Sequence, residues 1–334
     1  MVAVRAGFGC RLRQCGAGLL TAWGLCMAVL AQAQAPRAGI ELIVPTAAEG
    51  STDLLARMLA QGLESQGWGA IAVRNLPGRN GSLAAQAVAT AAPDGATLLL
   101  ATPSSHGIAA AFVGQLPYDS VSSFTPVVRF AEAPYLLVVR PDGPANLAAF
   151  REQVQRSQRP WRYASSGVGG PHHLVAEYVF QRAGLRLTHV PMAGGKEAIG
   201  RLEAGDVEVM LPAAVLALPR IQAGHLKALA VTGDRRLASL PDVPTFAEAG
   251  LPVSLVSWYG LMGPAGLSPA LADRLASAVR ASMQTPASQA RLATLATQST
   301  HDTGAQFGAL VTDEIVQWQS LVAALKAASA AQKD

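Results

Sequence analysis

The chain alternates short apolar runs with segments whose apolar residues recur at helical spacing. Residues 40–44 (Ile-Glu-Leu-Ile-Val) form an apolar run stopped by Pro45, the pattern of a buried strand. A small-residue loop, 46–52, leads into Leu54, Leu55, Met58 and Leu59, which mark one face of a helix, with Asp53 where a helix start favours an acid. Strands at 71–73 and 97–101 enclose the turn-rich Asn75-Leu76-Pro77-Gly78-Arg79-Asn80-Gly81 and a second helix from Ser82. This strand–helix alternation with short connections predicts a parallel sheet covered on both faces.

Two further strands, 127–130 and 136–139, precede a linker at 141–144, after which the pattern restarts. Helices are predicted at 146–156, from the end of the loop after 161–164 to about Ala183, at 197–203 and at 213–223. They alternate with strands at 161–164, 187–190, 207–211 and 227–231. Residues 253–262 read as a long strand or crossover. The last helices, near 269–283, 287–296 and 303–328, have no strands of their own and are expected to pack on the first domain. The expected fold is α/β with two domains, each a mainly parallel sheet flanked by helices. Domain 1 comprises 34–138 and 260–334, domain 2 is an insertion at 139–259, and the crossovers at 137–144 and 252–262 make a hinge.

The most informative stretch is Tyr163-Ala164-Ser165-Ser166-Gly167-Val168-Gly169-Gly170-Pro171-His172-His173-Leu174, a strand end, a glycine loop and a helix start. Glycines allow a tight turn and close approach of a ligand. The unpaired amides and dipole of a helix N-terminus suit an anion. A plain strand-to-helix connection is the competing interpretation. Ligands of open parallel sheets bind beyond the carboxyl ends of strands, where the loops 45–52, 102–106 and 165–170 would gather around an interdomain cleft.

The ends and the composition narrow the class. Arg5, Arg11 and Arg13, an apolar run at 16–30 and Ala31-Gln32-Ala33 make a secretory signal peptide, cleaved after Ala33. Removing 1–33 takes away all three cysteines, which excludes disulfides, thiolate metal sites and cysteine nucleophiles together. It also takes three arginines and no acid, lowering the formal charge from +4 to +1, so the basic balance does not argue for nucleic acid. Enzyme signatures are thin. Gly167-x-Gly169-x-x-His172 lacks the third glycine of a dinucleotide fingerprint, and neither HExxH nor GxSxG occurs. Adjacent His172 and His173 point to different sides of a helix, a poor arrangement for a shared metal. His106 beside Ser104 and Ser105 mimics part of a triad but fits a binding loop equally well.

Several segments in order carry a family resemblance: Thr52-Asp53-Leu54-Leu55-Ala56-Arg57, Asn75-Leu76-Pro77-Gly78, Ala92-Pro93-Asp94-Gly95, Leu116-Pro117-Tyr118-Asp119, the Tyr163–Leu174 loop with His173, Val190-Pro191, Ala223-Gly224-His225-Leu226, Leu240-Pro241-Asp242-Val243-Pro244-Thr245 and Ser257-Trp258-Tyr259-Gly260. Together they resemble the Bug-type solute-binding receptors of tripartite tricarboxylate transporters over nearly the whole chain. The resemblance implies a periplasmic, monomeric Venus flytrap of type II-like fold, with neither cofactor nor catalysis. It would close on a small organic acid and deliver it to inner-membrane permease subunits. An orphan receptor serving a signalling partner is the alternative.

Carried onto this chain, the implied ligand contacts are Thr46, Ala48, Glu49, Gly50, Thr52 and Asp53, then Thr102, Ser104 and Ser105, then Ser165, Gly167, Gly169, Gly170 and His173, with Met192 alongside. Four positions depart from the family pattern. The loop after the first strand has lost its prolines and gained Glu49; Gly170 stands where Ser or Thr is usual; Met192 replaces a common Tyr; and Pro212-Ala213 replace an acidic–amide pair. If Glu49 faces the cleft, it repels a carboxylate and favours a ligand with a cationic or donor group over a standard dicarboxylate. If it faces solvent, it has no such effect.

Overall fold

The computed structural model describes residues 39–112 and 115–330. The signal peptide expected at 1–33 lies outside the described residues. No helix among the described residues is long and apolar enough to cross a membrane.

The chain runs β1 (Ile40–Val44), α1 (Ser51–Ser65), β2 (Ile71–Asn75), α2 (Ser82–Ala89), β3 (Thr97–Ala101), α3 (Gly107–Phe112), β4 (Phe124–Pro134), β5 (Leu136–Val139), α4 (Leu147–Arg156), β6 (Arg162–Ser165), α5 (Pro171–Ala183), β7 (Thr188–Pro191), α6 (Gly195–Ala204), β8 (Val209–Met210), α7 (Ala214–Gln222), β9 (Lys227–Val231), β10 (Val256–Pro264), α8 (Pro269–Met283), α9 (Pro286–Thr294), β11 (Gln298–Thr303) and α10 (Gly304–Ala330). Caps fix several starts. Asn146, Ser268 and Thr285 each accept a hydrogen bond from the amide three residues on, at the heads of α4, α8 and α9.

The strands form two sheets, ordered β11-β4-β10-β3-β1-β2 and β7-β6-β8-β5-β9. Both are mixed. In the first, β1 pairs in parallel with β2 and β3, while β10 lies antiparallel between β3 and β4. In the second, β6 is parallel to β7 and β8, and β5 is antiparallel to β8 and β9. The parallel halves are the expected strand–helix units. The antiparallel pairs arise because the chain leaves the first sheet along β4, enters the second along β5 and returns through β10. Where they pass between sheets, these two connections pair with each other, Val256 opposite Pro134.

The expectation that the last helices bring no strand is corrected by β11, an edge strand against β4. The last helix also serves more than the first domain. Phe307 and Val311 join the core of Ile43, Leu99 and Trp258, whereas Trp318, Leu321 and Val322 join Leu137, Phe150, Tyr163 and Leu174 under the second sheet. Trp258, fully buried on β10, donates its indole N–H to Glu314 of this helix at 2.7 Å. Burial of such a side chain contributes about 1.5–3 kcal/mol. Trp258 and Tyr259 are both buried, which fits packing at the crossover.

Candidate functional site

Three loops at the carboxyl ends of β1, β2 and β3 come together, and Asp53 holds the first two. Its carboxylate, 1% exposed at the head of α1, accepts from the Glu49 amide (2.9 Å), Arg57 Nε (3.0 Å) and Asn75 Nδ2 (3.0 Å). Asn75 Nδ2 also donates to the Thr46 carbonyl at 3.0 Å. Burial by itself would raise the Asp53 pKa, but the hydrogen bonds from Arg57, the Glu49 amide and Asn75 outweigh it and leave the group below its ordinary value. Asp53 is thereby a scaffold for the loop. Glu49 sits above it with φ +66°, its side chain exposed, while the buried Thr46 hydroxyl has no partner among the described residues. Ala48 and Gly50 are exposed and Thr52 is buried.

The β2–α2 loop turns through four successive positive φ values, Gly78 (133°), Arg79 (46°), Asn80 (55°) and Gly81 (86°). A Cβ on Gly81 would lie 2.9 Å from Pro45 Cβ and 3.1 Å from Ser105 Cβ, so glycine is required where the three loops meet. In the third loop the Ser105 hydroxyl accepts from the Thr102 amide at 3.1 Å and lies 2.9 Å from His106 Nδ1. Thr102, Ser105 and His106 are all buried, and Ser104 is half-buried. Burial pushes His106 down to about 3, keeping it neutral. Its ring packs 4.8 Å from Phe124. A serine and histidine without solvent access are a packing pair here.

The glycine loop closes the second lobe. Ser165, fully buried, accepts from the Gly167 amide (3.1 Å) and lies 2.7 Å from His189 Nε2. The Gly169 amide donates to His173 Nδ1 at 3.0 Å. These two amides are drawn back into the lobe, leaving the first turn of α5 and the loop face to meet a ligand. Met192 follows the same edge, its amide donating to the Ser165 carbonyl at 3.0 Å, and Gly170 is the half-buried N-cap of α5. His172 and His173 diverge as expected. His172 lies edge-on to Tyr135, 6.3 Å away and held down to about 4 by burial, while His173 stacks on His189.

The lobes touch at this level: Asn80 Nδ2 donates to the Gly169 carbonyl at 3.5 Å. The loop between β2 and α2 thus reaches the glycine loop through Asn80, while its Gly81 packs against Pro45 at the start of the 45–52 loop. Asn80 and His189 were not singled out from the sequence. Asn80 carried one signal, its place between glycines in a turn. His189 carried none, because its neighbours at 163, 165 and 173 are set by the β6–β7 pairing. The start of α1 offers first-turn amides with hydroxyls nearby. At α5, Pro171 has no N–H and the His173 amide donates to the Gly170 carbonyl at 3.1 Å, which leaves the His172 amide. Such a pair of helix starts can hold an anion without an arginine. No group of three or more potential metal ligands is found among the described residues.

Two mixed sheets joined by paired crossover strands, with strand-end loops meeting between them, define a two-lobed binding protein. A family model described as the tripartite tricarboxylate transporter family receptor matches residues 55–327, and the chain belongs to that family. BugT of Bordetella pertussis is 30% identical over 294 residues, 86% of this chain and 89% of its own. MatC of Rhodopseudomonas palustris, solved with bound malate, has a TM-score of 0.74 at 31% identity, covering 86% of this chain and 99% of MatC. A second R. palustris protein, solved with adipate, has a TM-score of 0.75 at 28% identity over 86% and 97%. The family is one of solute-binding receptors, and solved neighbours are periplasmic proteins.

Proposed function

We propose that this receptor captures a small organic carboxylate in the cleft between its lobes and delivers it, as a monomer, to the permease subunits of a tripartite tricarboxylate-type transporter. It works in the periplasm, reached through cleavage of residues 1–33. Domain 1 comprises 34–138 and 260–334, and domain 2 comprises 139–259.

The observation that carries this reading is the meeting of strand-end loops from both lobes, Asn80 against Gly169, beside the heads of α1 and α5. Two neighbours bind malate and adipate, both dicarboxylates. Ligand oxygens would take the first-turn amides of α1, the His172 amide at the head of α5, the unpartnered Thr46 hydroxyl, and water bridges. Glu49 is exposed on the first of these loops. We infer that it disfavours a simple diacid and favours a carboxylate that also carries a cationic or donor group.

A thermal-shift screen of the mature protein against malate, adipate, succinate, citrate and glutamate tests this. A ligand at a hundred times its Kd adds about 2.7 kcal/mol of stability. Binding of an amino-bearing acid in preference to diacids, reversed in Glu49→Gln, is the expected result. Micromolar binding of a plain diacid by the wild type would sink the Glu49 preference, and no shift with any organic acid would sink the carboxylate reading.

A further inference from the structure

The glycine loop is held from behind by two facing imidazoles. The His173 and His189 rings stack with centroids 3.9 Å apart and planes 11° from parallel, and Tyr163 continues the stack at 4.9 Å from His189. Each imidazole is tied to the loop. His173 Nδ1 accepts the Gly169 amide, and His189 Nε2 meets the Ser165 hydroxyl, which accepts the Gly167 amide. Gly167 and Gly169 adopt φ +123° and +74°, so the shape of the loop depends on what anchors its amides.

We propose that His173 and His189 are positioning residues that hold the glycine loop in its ligand-receiving shape, and that the hold on Gly169 lasts only while His173 is neutral, so that acidification releases the loop and with it the ligand. This rests on the assignment of the cleft as a carboxylate site. The proton inventory supports it. An imidazole that accepts at Nδ1 carries its single proton on Nε2. A second proton on His173 must go to Nδ1, turning the acceptor of Gly169 N–H into a donor and breaking the contact. A charge on either ring also faces the other ring at stacking distance, so the pair resists protonation and the first proton taken up disfavours the second.

The groups around the pair were weighed for the opposite effect. Glu177, one turn along α5 from His173, is the carboxyl nearest the pair; burial raises it and its oxygen is taken by the Tyr163 hydroxyl. Arg159, which pairs with Glu208 at 3.9 Å, and Arg186 line the same cavity of about 1230 Å³ behind the rings. Burial holds both histidines below their ordinary 6.5, His189 down to about 4 with His173 adding to the effect. The lock is therefore closed at neutral pH and opens as pH falls toward 4.

Amide hydrogen exchange of Gly167 and Gly169, with histidine side-chain NMR, is measured on the ligand-free mature protein from pH 7.5 to 3.5. The variants are His173→Asn, which keeps an acceptor near Nδ1 without titrating, and His173→Ala. The expected result is that Gly169 protection, corrected for intrinsic exchange, falls at least tenfold through the imidazole titration in the wild type. It stays level in His173→Asn and is lost at every pH in His173→Ala. Glutamate binding, read by calorimetry, should follow Gly169 protection in each protein: weakening with falling pH in the wild type, level in His173→Asn and weak at every pH in His173→Ala. Gly169 protection unchanged through the titration, or equal in the wild type and a folded His173→Ala, overturns the proposal. Protection that follows the expected pattern while no organic acid binds upholds the lock and removes only the carboxylate assignment.

Discussion

Replacing Asp53 by alanine should cost more stability than its place at a helix start suggests. The carboxylate accepts three hydrogen bonds while almost fully buried. A hydrogen bond to a charged group contributes about 1.5–3 kcal/mol net. Arg57 is half-exposed, so water replaces its share and that ion pair adds under about 1 kcal/mol. The Glu49 amide and Asn75 are left, and both hold backbone in place: Glu49 at a positive φ, and Asn75 bridging to the Thr46 carbonyl. Asp53→Ala is therefore expected to lose about 3–5 kcal/mol, and Asp53→Asn about 2–3 kcal/mol, because an amide offers one acceptor oxygen and turns a donor toward its neighbours. Guanidinium unfolding of the mature protein reads both. Since the folded Asp53 lies below its ordinary 3.8, its contribution is present above that value and is lost as pH falls through the folded one. The gap between wild type and Asp53→Ala should be level from pH 8 to 5 and narrow only below about 4. An Asp53→Ala protein within 1 kcal/mol of wild type at pH 7 would refute the scaffold role.

Other outcomes follow from the same geometry. Gly81→Ala meets both a positive φ and Cβ contacts under 3.2 Å, so it should cost about 2–4 kcal/mol by denaturant unfolding and weaken ligand binding through all three loops. His106 and His172 are buried neutral at about 3 and about 4, below their ordinary 6.5, so the unfolded chain takes up their protons first. Their stabilisation is full above about pH 6.5 and falls with pH toward 4, by roughly 3 kcal/mol or more each at 1.4 kcal/mol per unit; thermal unfolding midpoints across pH 7.5–4 should show this, and be shallower in a folded His172→Gln variant. Glu314 has the opposite sign: burial pushes it up to about 7, so raising pH through its ordinary 4.5 toward 7 costs stability. Glu314→Gln, which keeps an acceptor for Trp258, should match wild type near pH 5 and exceed it by about 1–3 kcal/mol at pH 8 in denaturant unfolding.

Much of the architecture was legible where local chemistry decides it. The strands Thr97–Ala101 and Lys227–Val231 and the helix Pro269–Met283 have the predicted limits, because apolar runs and an N-terminal proline marked their ends. The strand Gln298–Thr303 was missed because it contains no apolar residue; an edge strand can be polar throughout. The direction of β10 was equally hidden, since it follows from where the returning chain re-enters the sheet. At the site, the glycine loop was recognisable from its own residues. What holds it was not, because Ser165, His173 and His189 meet only once β6 and β7 pair. At Asp53 the sequence pointed to a ligand contact, and the fold adds that its oxygens accept from the Glu49 amide, Arg57 and Asn75, partners that no local pattern marks.

The double membership of the last helix has a consequence for how the chain acquires its shape. Neither core can close early. The first sheet lacks a central strand until residues 256–264 arrive, and the second lobe lacks Trp318, Leu321 and Val322 until α10 is in place. A nascent chain therefore stays open nearly to its last residues and then completes both lobes together. The delay makes the C-terminal helix the step that commits the whole molecule.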